Sequence, residues 1–191
     1  MMKRLLILIL LTAMPAFSAE LGDDGLHKTD WMRDTFKDLT EDLAEANAEG
    51  KRLVIMVEQR GCICCTKMHE EVFPRDEIAT YIRENFFVVQ VNLYGDTEIT
   101  DFDGETLTEK QAARKWGLLF TPSILFLPEE IEAGATAQTA AVALMPGAFG
   151  AGTTLDMFTW VNEKRYALDS EEDFQRYHAR RIQERADGTA D

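Results

Sequence analysis

The chain predicts an α/β domain, a central mixed sheet flanked on both faces by helices, with a C-terminal helical extension. Three observations carry this. LVIMV (53–57), FFVVQVNL (86–93) and LLFTPSILFL (118–127) are apolar runs of the kind found in strands buried on both faces. Segments with helical spacing of apolar residues alternate with them. The 191 residues are about the length of one such domain.

The elements follow in chain order. Met1 to Arg4 is a short basic start, Leu5 to Ala13 an apolar run broken only by Thr12, and Pro15 to Ala19 a small-residue exit. This is the layout of a secretory signal peptide over residues 1–19, cleaved after Ser18 or Ala19. Its apolar run is too short to span a bilayer. No lipobox cysteine follows, so a lipid anchor is not expected. A helix is predicted over Asp30–Ala48, on the spacing of Trp31, Phe36, Leu39, Leu43, Ala44 and Ala46, with Gly50 ending it. Helices are also predicted over Thr66–Phe73, Asp76–Glu84 and Leu107–Trp116. The acidic connection Gly95–Thr106 reads as a solvated loop: Asp101, Asp103 and Gly104 lack the later ligands of a calcium loop. A fourth strand over Ala140–Met145 precedes helices over Thr154–Tyr166 and Glu171–Arg185. The mature domain is thus residues 20–168, with a helical tail over 169–191.

Lys and Arg number 20 against 34 Asp and Glu, a net charge of −14 that becomes −16 without Lys3 and Arg4. Such a chain is a poor partner for nucleic acid or anionic membrane surfaces. No later segment is apolar enough for stable membrane insertion.

All three cysteines lie in EQRGCICCTK (58–67). In an oxidising compartment, structural disulfides join distant parts of a chain. A bond confined to one short stretch closes almost no loop and stabilises little. These thiols therefore point to chemistry. Cys62 and Cys65, three apart at a helix start, occupy neighbouring positions on one face. Pairing Cys64 with either neighbour requires distorted geometry. The strand-to-helix position makes Cys62 the nucleophile, with Arg60 and Lys67 near enough in sequence to favour its thiolate. Cys65 is the resolving thiol. Glu58 has two readings: proton transfer to Cys65, or a solvated strand end. Cys64 turns outward, either without a role, tuning the redox potential, as a backup partner for Cys62, or as a site of modification.

A C-x-x-C that follows a strand and opens a helix resembles the thioredoxin family. The segments KRLVIMVEQRGC, KMHEEVF, VNLYGD and TEKQAARKWGLLFTPSILF narrow the resemblance to periplasmic thioredoxin-related proteins of the SoxW type, associated with sulfur oxidation. The likeness runs from about Asp30 to Tyr166. It implies a cis bond at Thr121-Pro122 facing the cysteines, with Thr121 and Pro122 as the edge where an extended substrate docks. The chain departs from thioredoxin at Gly61, where a tryptophan is usual, and at Ile63-Cys64 in place of Gly-Pro. Met56 stands where thioredoxin has a buried acid.

The resemblance implies a periplasmic thiol–disulfide oxidoreductase without a cofactor, acting on disulfides or S-modified cysteines of exported proteins. The insertion is too short for the helical domain of disulfide oxidases, and their histidine between the cysteines is missing. A reductase renewed by a membrane donor of the DsbD/CcdA kind is the expectation. The alternative is a copper(I)- or zinc-binding protein using Cys62, Cys65 and His69 at i, i+3 and i+7. Against it stand Pro122 beside the site and the lack of a second histidine nearby in sequence. His69 is otherwise read as a surface helix residue, and His27 and His178 carry no motif.

Overall fold

Strand β4 (Arg52–Glu58) is buried along its whole length in the middle of a five-stranded sheet. The computed structural model describes residues 20–168 and 172–189. The predicted signal peptide and the start of the tail at 169–171 therefore lie outside the described residues. The sheet order is β3 (Met32–Arg33), β5 (Phe86–Asn92), β4, β8 (Ser123–Phe126) and β9 (Ala143–Pro146). The first three strands run parallel, and β8 and β9 are each antiparallel to the strand before them in that order. It is a mixed sheet, as expected.

Alternation along β4 divides the interior in two. Val54 and Met56 face a core with Met68, Phe73, Ile78 and Phe158. These belong to the helix after the cysteines, to α3 (Asp76–Asn85) and to α6 (Ala151–Asn162). Leu53, Ile55 and Val57 face a second core with Leu39, Ala112 and Trp116, covered by α1 (Leu39–Ala48) and α4 (Glu109–Lys115). The last helix, α7 (Phe174–Asp187), lies on α6. Its Tyr177 is buried with the Arg165 and Arg180 guanidinium groups 4.9 and 5.0 Å from the ring. Asp156 of α6, also buried, takes hydrogen bonds from His178 Nδ1 at 2.5 Å and Arg185 at 2.8 and 2.9 Å. Burial pushes this carboxyl up, but the bonds from Arg185 and His178 outweigh it and hold Asp156 below the usual range.

Several elements differ from expectation. The helix predicted from Asp30 begins only at Leu39. Asp38 caps it by accepting from the N–H groups of Thr40 and Glu41, and Lys37 before it has φ 57°, which no helix tolerates. Trp31 precedes strand β3 and packs edge-on against Phe73, while Phe36 is 97% exposed in the loop. Two residues of the apparent period thus belong to other structures. A hairpin at the N-terminus, β1 (Glu20–Leu21) with β2 (His27–Lys28), had no sequence counterpart.

The acidic connection is not a solvated loop. It folds into a second hairpin, β6 (Glu98–Thr100) and β7 (Thr106–Thr108). Asp101 is buried there, accepting from Trp116 Nε1 at 2.9 Å and Ala137 N at 2.8 Å. Lys115 reaches Asp101, Asp103 and Glu105 at 3.0, 2.7 and 3.0 Å, so an internal ammonium answers these acids. The third strand starts at Ser123, because Leu119 and Phe120 stay exposed in the preceding loop. A short helix, α5 (Ala137–Ala140), precedes β9.

Asp42 on α1 is buried, and among the described residues its side chain has only the Thr35 hydroxyl as a partner, at 3.2 Å. Burial pushes its carboxyl up to about 6, and Asp38, Glu45 and Glu41 add to this. A folded pKa above the unfolded one gives stability at low pH that is lost as pH rises through about 6. Asp42→Asn keeps an acceptor for Thr35 and removes the charge. It is expected to raise stability at pH 7 by about 1–2 kcal/mol, and to abolish the decline between about pH 4 and 6. Urea unfolding across that range tests both; a loss of stability at pH 7 counts against the burial argument.

Candidate active site

The site forms where β4 ends. Gln59–Gly61 turn the chain, Gly61 taking φ 71°, a conformation open to glycine. Cys62 then caps α2 (Ile63–Lys67), which runs on into a π-helical turn over Met68–Val72. Cys62 and Cys65 are joined in a disulfide, their Cα atoms 5.2 Å apart. Cys62 is 7% exposed and Cys65 1%, so the outer sulfur is the one an incoming group can reach. Cys64 is free and exposed, one residue from the bond but outside it.

Two donors converge on the outer sulfur. The Cys65 N–H donates to Cys62 Sγ at 3.0 Å, and the Thr121 hydroxyl donates to it at 3.2 Å. The Thr121 carbonyl oxygen lies 3.4 Å from the same sulfur, within reach of its S–H in the reduced state. Thr121-Pro122 is a cis peptide and leads into β8, next to β4. Strand pairing thus brings Thr121 and Cys62 together across 59 positions.

The predicted cations point elsewhere. Arg60 donates to the carbonyl oxygens of Asp24 and Asp23, at 3.4 Å each, and covers Gly25. Lys67 is exposed, its nearest anion Glu71 at 3.9 Å.

Behind the disulfide the sequence reading needs correction. Glu58 is 1% exposed, so it is not a solvated strand end. One oxygen accepts from Gln90 Nε2 at 2.6 Å and the other from His69 Nε2 at 3.0 Å. His69, read as a surface residue, is also 1% exposed. The π-helical turn carries it inward. The signal was present: His69 lies one turn after Cys65 and one before Phe73, both core residues, and so shares their face. His27, read as carrying no motif, also belongs to this group. It comes from the N-terminal hairpin, stacks on His69 with centroids 4.8 Å apart, and reaches Thr66 Oγ1 at 3.0 Å. Burial and the adjoining His69 hold His27 below the ordinary imidazole range. Gln90 links the group outward to Lys28 at 2.6 Å.

Glu58 engages the His69 Nε2, so that nitrogen is not open to a metal ion. Among the described residues no three His, Cys, Asp or Glu side chains are grouped to hold a metal ion. Nor is any described helix long and apolar enough to cross a membrane.

Comparison with protein families matches residues 39–144 to a thioredoxin-like domain. Among solved structures, a thioredoxin-fold protein from Helicobacter pylori is 16% identical, with 72% of this chain and 86% of that one covered and a TM-score of 0.53. A thioredoxin from Thermus thermophilus is 21% identical over 65% and 83% of the two chains, with a TM-score of 0.49. The C-terminal domain of DsbD from Neisseria meningitidis, oxidised form, is 15% identical over 63% and 89%, with a TM-score of 0.43. These identities speak to fold alone. No curated protein matches the chain.

The Thr121 hydroxyl is a donor that strengthens when Cys62 becomes a thiolate. Thr121→Val removes it at nearly constant shape. The midpoint of Cys62 alkylation with pH is expected to rise by about one unit, the equivalent of a hydrogen bond to a charged group. Iodoacetamide kinetics on the reduced protein measure it; an unmoved midpoint means the hydroxyl does not serve the thiolate.

Proposed function

Because the chain belongs to the thioredoxin-like family, we propose that it is a periplasmic thiol–disulfide reductase worked by Cys62 and Cys65. One observation carries the reading: a disulfide between a nearly buried and a fully buried cysteine, with two donors aimed at the outer sulfur. The cycle follows from that asymmetry. The Cys62 thiolate attacks one sulfur of a substrate disulfide, forming a mixed disulfide and releasing the other sulfur as a thiol. Cys65 then attacks Cys62 Sγ, closes the internal disulfide and releases the second substrate thiol. Two electrons and two protons pass from the dithiol to the substrate. Thr121 and Pro122, beside Cys62, are the proposed docking edge for an extended substrate segment.

The reducing direction is supported by the connection between β5 and α4, which holds only a small hairpin. A membrane donor of the DsbD/CcdA kind renews the dithiol. Periplasmic location rests on the signal-peptide pattern of residues 1–19. The proposed substrates are disulfides or S-modified cysteines of exported proteins. The SoxW-type resemblance points to sulfur-oxidation components among them.

Insulin reduction and periplasmic trapping test this together. Cys62→Ser and Cys65→Ser are each expected to abolish turnover, and only Cys65→Ser should accumulate mixed disulfides with exported proteins. Cys64→Ser should retain most activity, and peptide mapping of the oxidised wild type should find Cys64 unpaired. Full loss of activity in Cys64→Ser, or turnover surviving in Cys62→Ser, overturns the assignment.

A further inference from the structure

Closing the internal disulfide requires Cys65 to give up its proton, and this thiol is 1% exposed. Bulk water does not reach it, so the acceptor must lie inside. Glu58 has both oxygens occupied, by Gln90 and His69. The Glu58 oxygen accepts from His69, which fixes the imidazole as the Nε2–H form when neutral. Its lone pair then sits on Nδ1. That atom is buried and has no hydrogen-bond partner among the described residues. A polar atom so placed is costly unless it serves a purpose.

Its position supplies one. His69 is four residues after Cys65, and helical side chains lean back toward the preceding turn. His27, which stacks on His69, touches Thr66, the neighbour of Cys65, placing the imidazole over that turn. We propose that His69 Nδ1 accepts the Cys65 proton during resolution of the mixed disulfide, with Glu58 as the positioning residue that orients the ring. This inference rests on the thiol–disulfide reading above.

The Cys65 S–H bond breaks and its proton goes to Nδ1. The freed pair forms the Cys65–Cys62 bond, and the Cys62–substrate bond breaks with its pair on the substrate sulfur. That sulfur takes a proton from solvent, and His69 returns its own to solvent. The transient imidazolium is paired with Glu58 at 3.0 Å. Lys28 reaches Glu58 through Gln90 and lines the same cavity as His69, and burial and the adjoining His69 hold His27 below the ordinary imidazole range. Glu70 adjoins the pair from the same helix, and Glu20, Asp30, Asp76 and Arg83 line the cavity on its far side.

The test uses dithiobis(nitrobenzoate) with the reduced protein in a Cys64→Ser background. Attack by Cys62 releases a first thionitrobenzoate; attack by Cys65 releases a second. His69→Gln keeps a donor for Glu58 but cannot take a proton. It is expected to leave the first release unchanged and slow the second roughly a hundredfold at pH 7, the scale of general-base assistance. The second rate should then climb in proportion to hydroxide. An unchanged second release, in rate and pH profile, overturns the inference. A missing first release overturns the thiol reading itself. NMR titration of the wild-type His69 ring, oxidised against reduced, needs no variant. On this proposal the curves differ, because Nδ1 meets a disulfide sulfur in one state and a thiol in the other; coincident curves overturn the proposal as well.

Discussion

A carboxylate can stay inside a protein only if each oxygen is met by a donor, because an unmet charge there costs several kcal/mol. Glu58 imposes that demand at the end of the central strand. Its two donors come from different directions. Gln90 is on β5, and the parallel register that sets Met56 opposite Gln90 puts the amide on the face that Glu58 shares. His69 is on the helix that follows the cysteines, and reaches inward through a π-helical turn. Gln90 in turn donates to the His27 carbonyl at 2.8 Å and accepts from Lys28, which pins the N-terminal hairpin over the group. Sheet register, helix winding and the hairpin's seat thus converge on one buried side chain. Met56, two residues earlier on the same face, is apolar and packs in the core.

The sulfur on the other side of the turn is served differently. Its donors are a backbone amide and a neutral hydroxyl, while Arg60 and Lys67 engage the N-terminal loop and Glu71. Interactions with fixed dipoles at close range are screened far less by salt than those with exposed ammonium groups. Thiolate stabilisation in this chain therefore rests on backbone placement, which the cysteine turn and the β8 approach hold rigidly.

Much of this was legible in the sequence. The buried strands 53–57 and 86–93 announce themselves, because a strand covered on both faces needs apolar residues at every position. The three-residue spacing of Cys62 and Cys65 was readable for the same local reason. What failed was non-local or hidden by composition. Trp31 and Phe36 matched a helical period by coincidence, while the positive φ at Lys37 and the cap at Asp38 decided the boundary. Asp101 looked solvated because nothing nearby in sequence shows that Trp116, Ala137 and Lys115 converge on it. His27 meets His69 across 42 positions with no pattern to mark it. Glu58 and His69 were each visible as residues, yet their pairing depends on a π-helical turn that spacing rules for a regular helix do not foresee.

The clasp between α6 and α7 joins the two helices through one buried charge. Asp156 is interior to α6, yet its charge is answered by His178 and Arg185 of the last helix. Were the chain cut between the two helices, the loss would fall on α6: an anion with its partners gone, on the helix whose Phe158 packs against Phe86 and Phe126. Such a carboxylate would have to pick up a proton or drag water inward, and either loosens the layer behind the disulfide. Helix α7 thus supplies the donors that let α6 hold an anion in its interior.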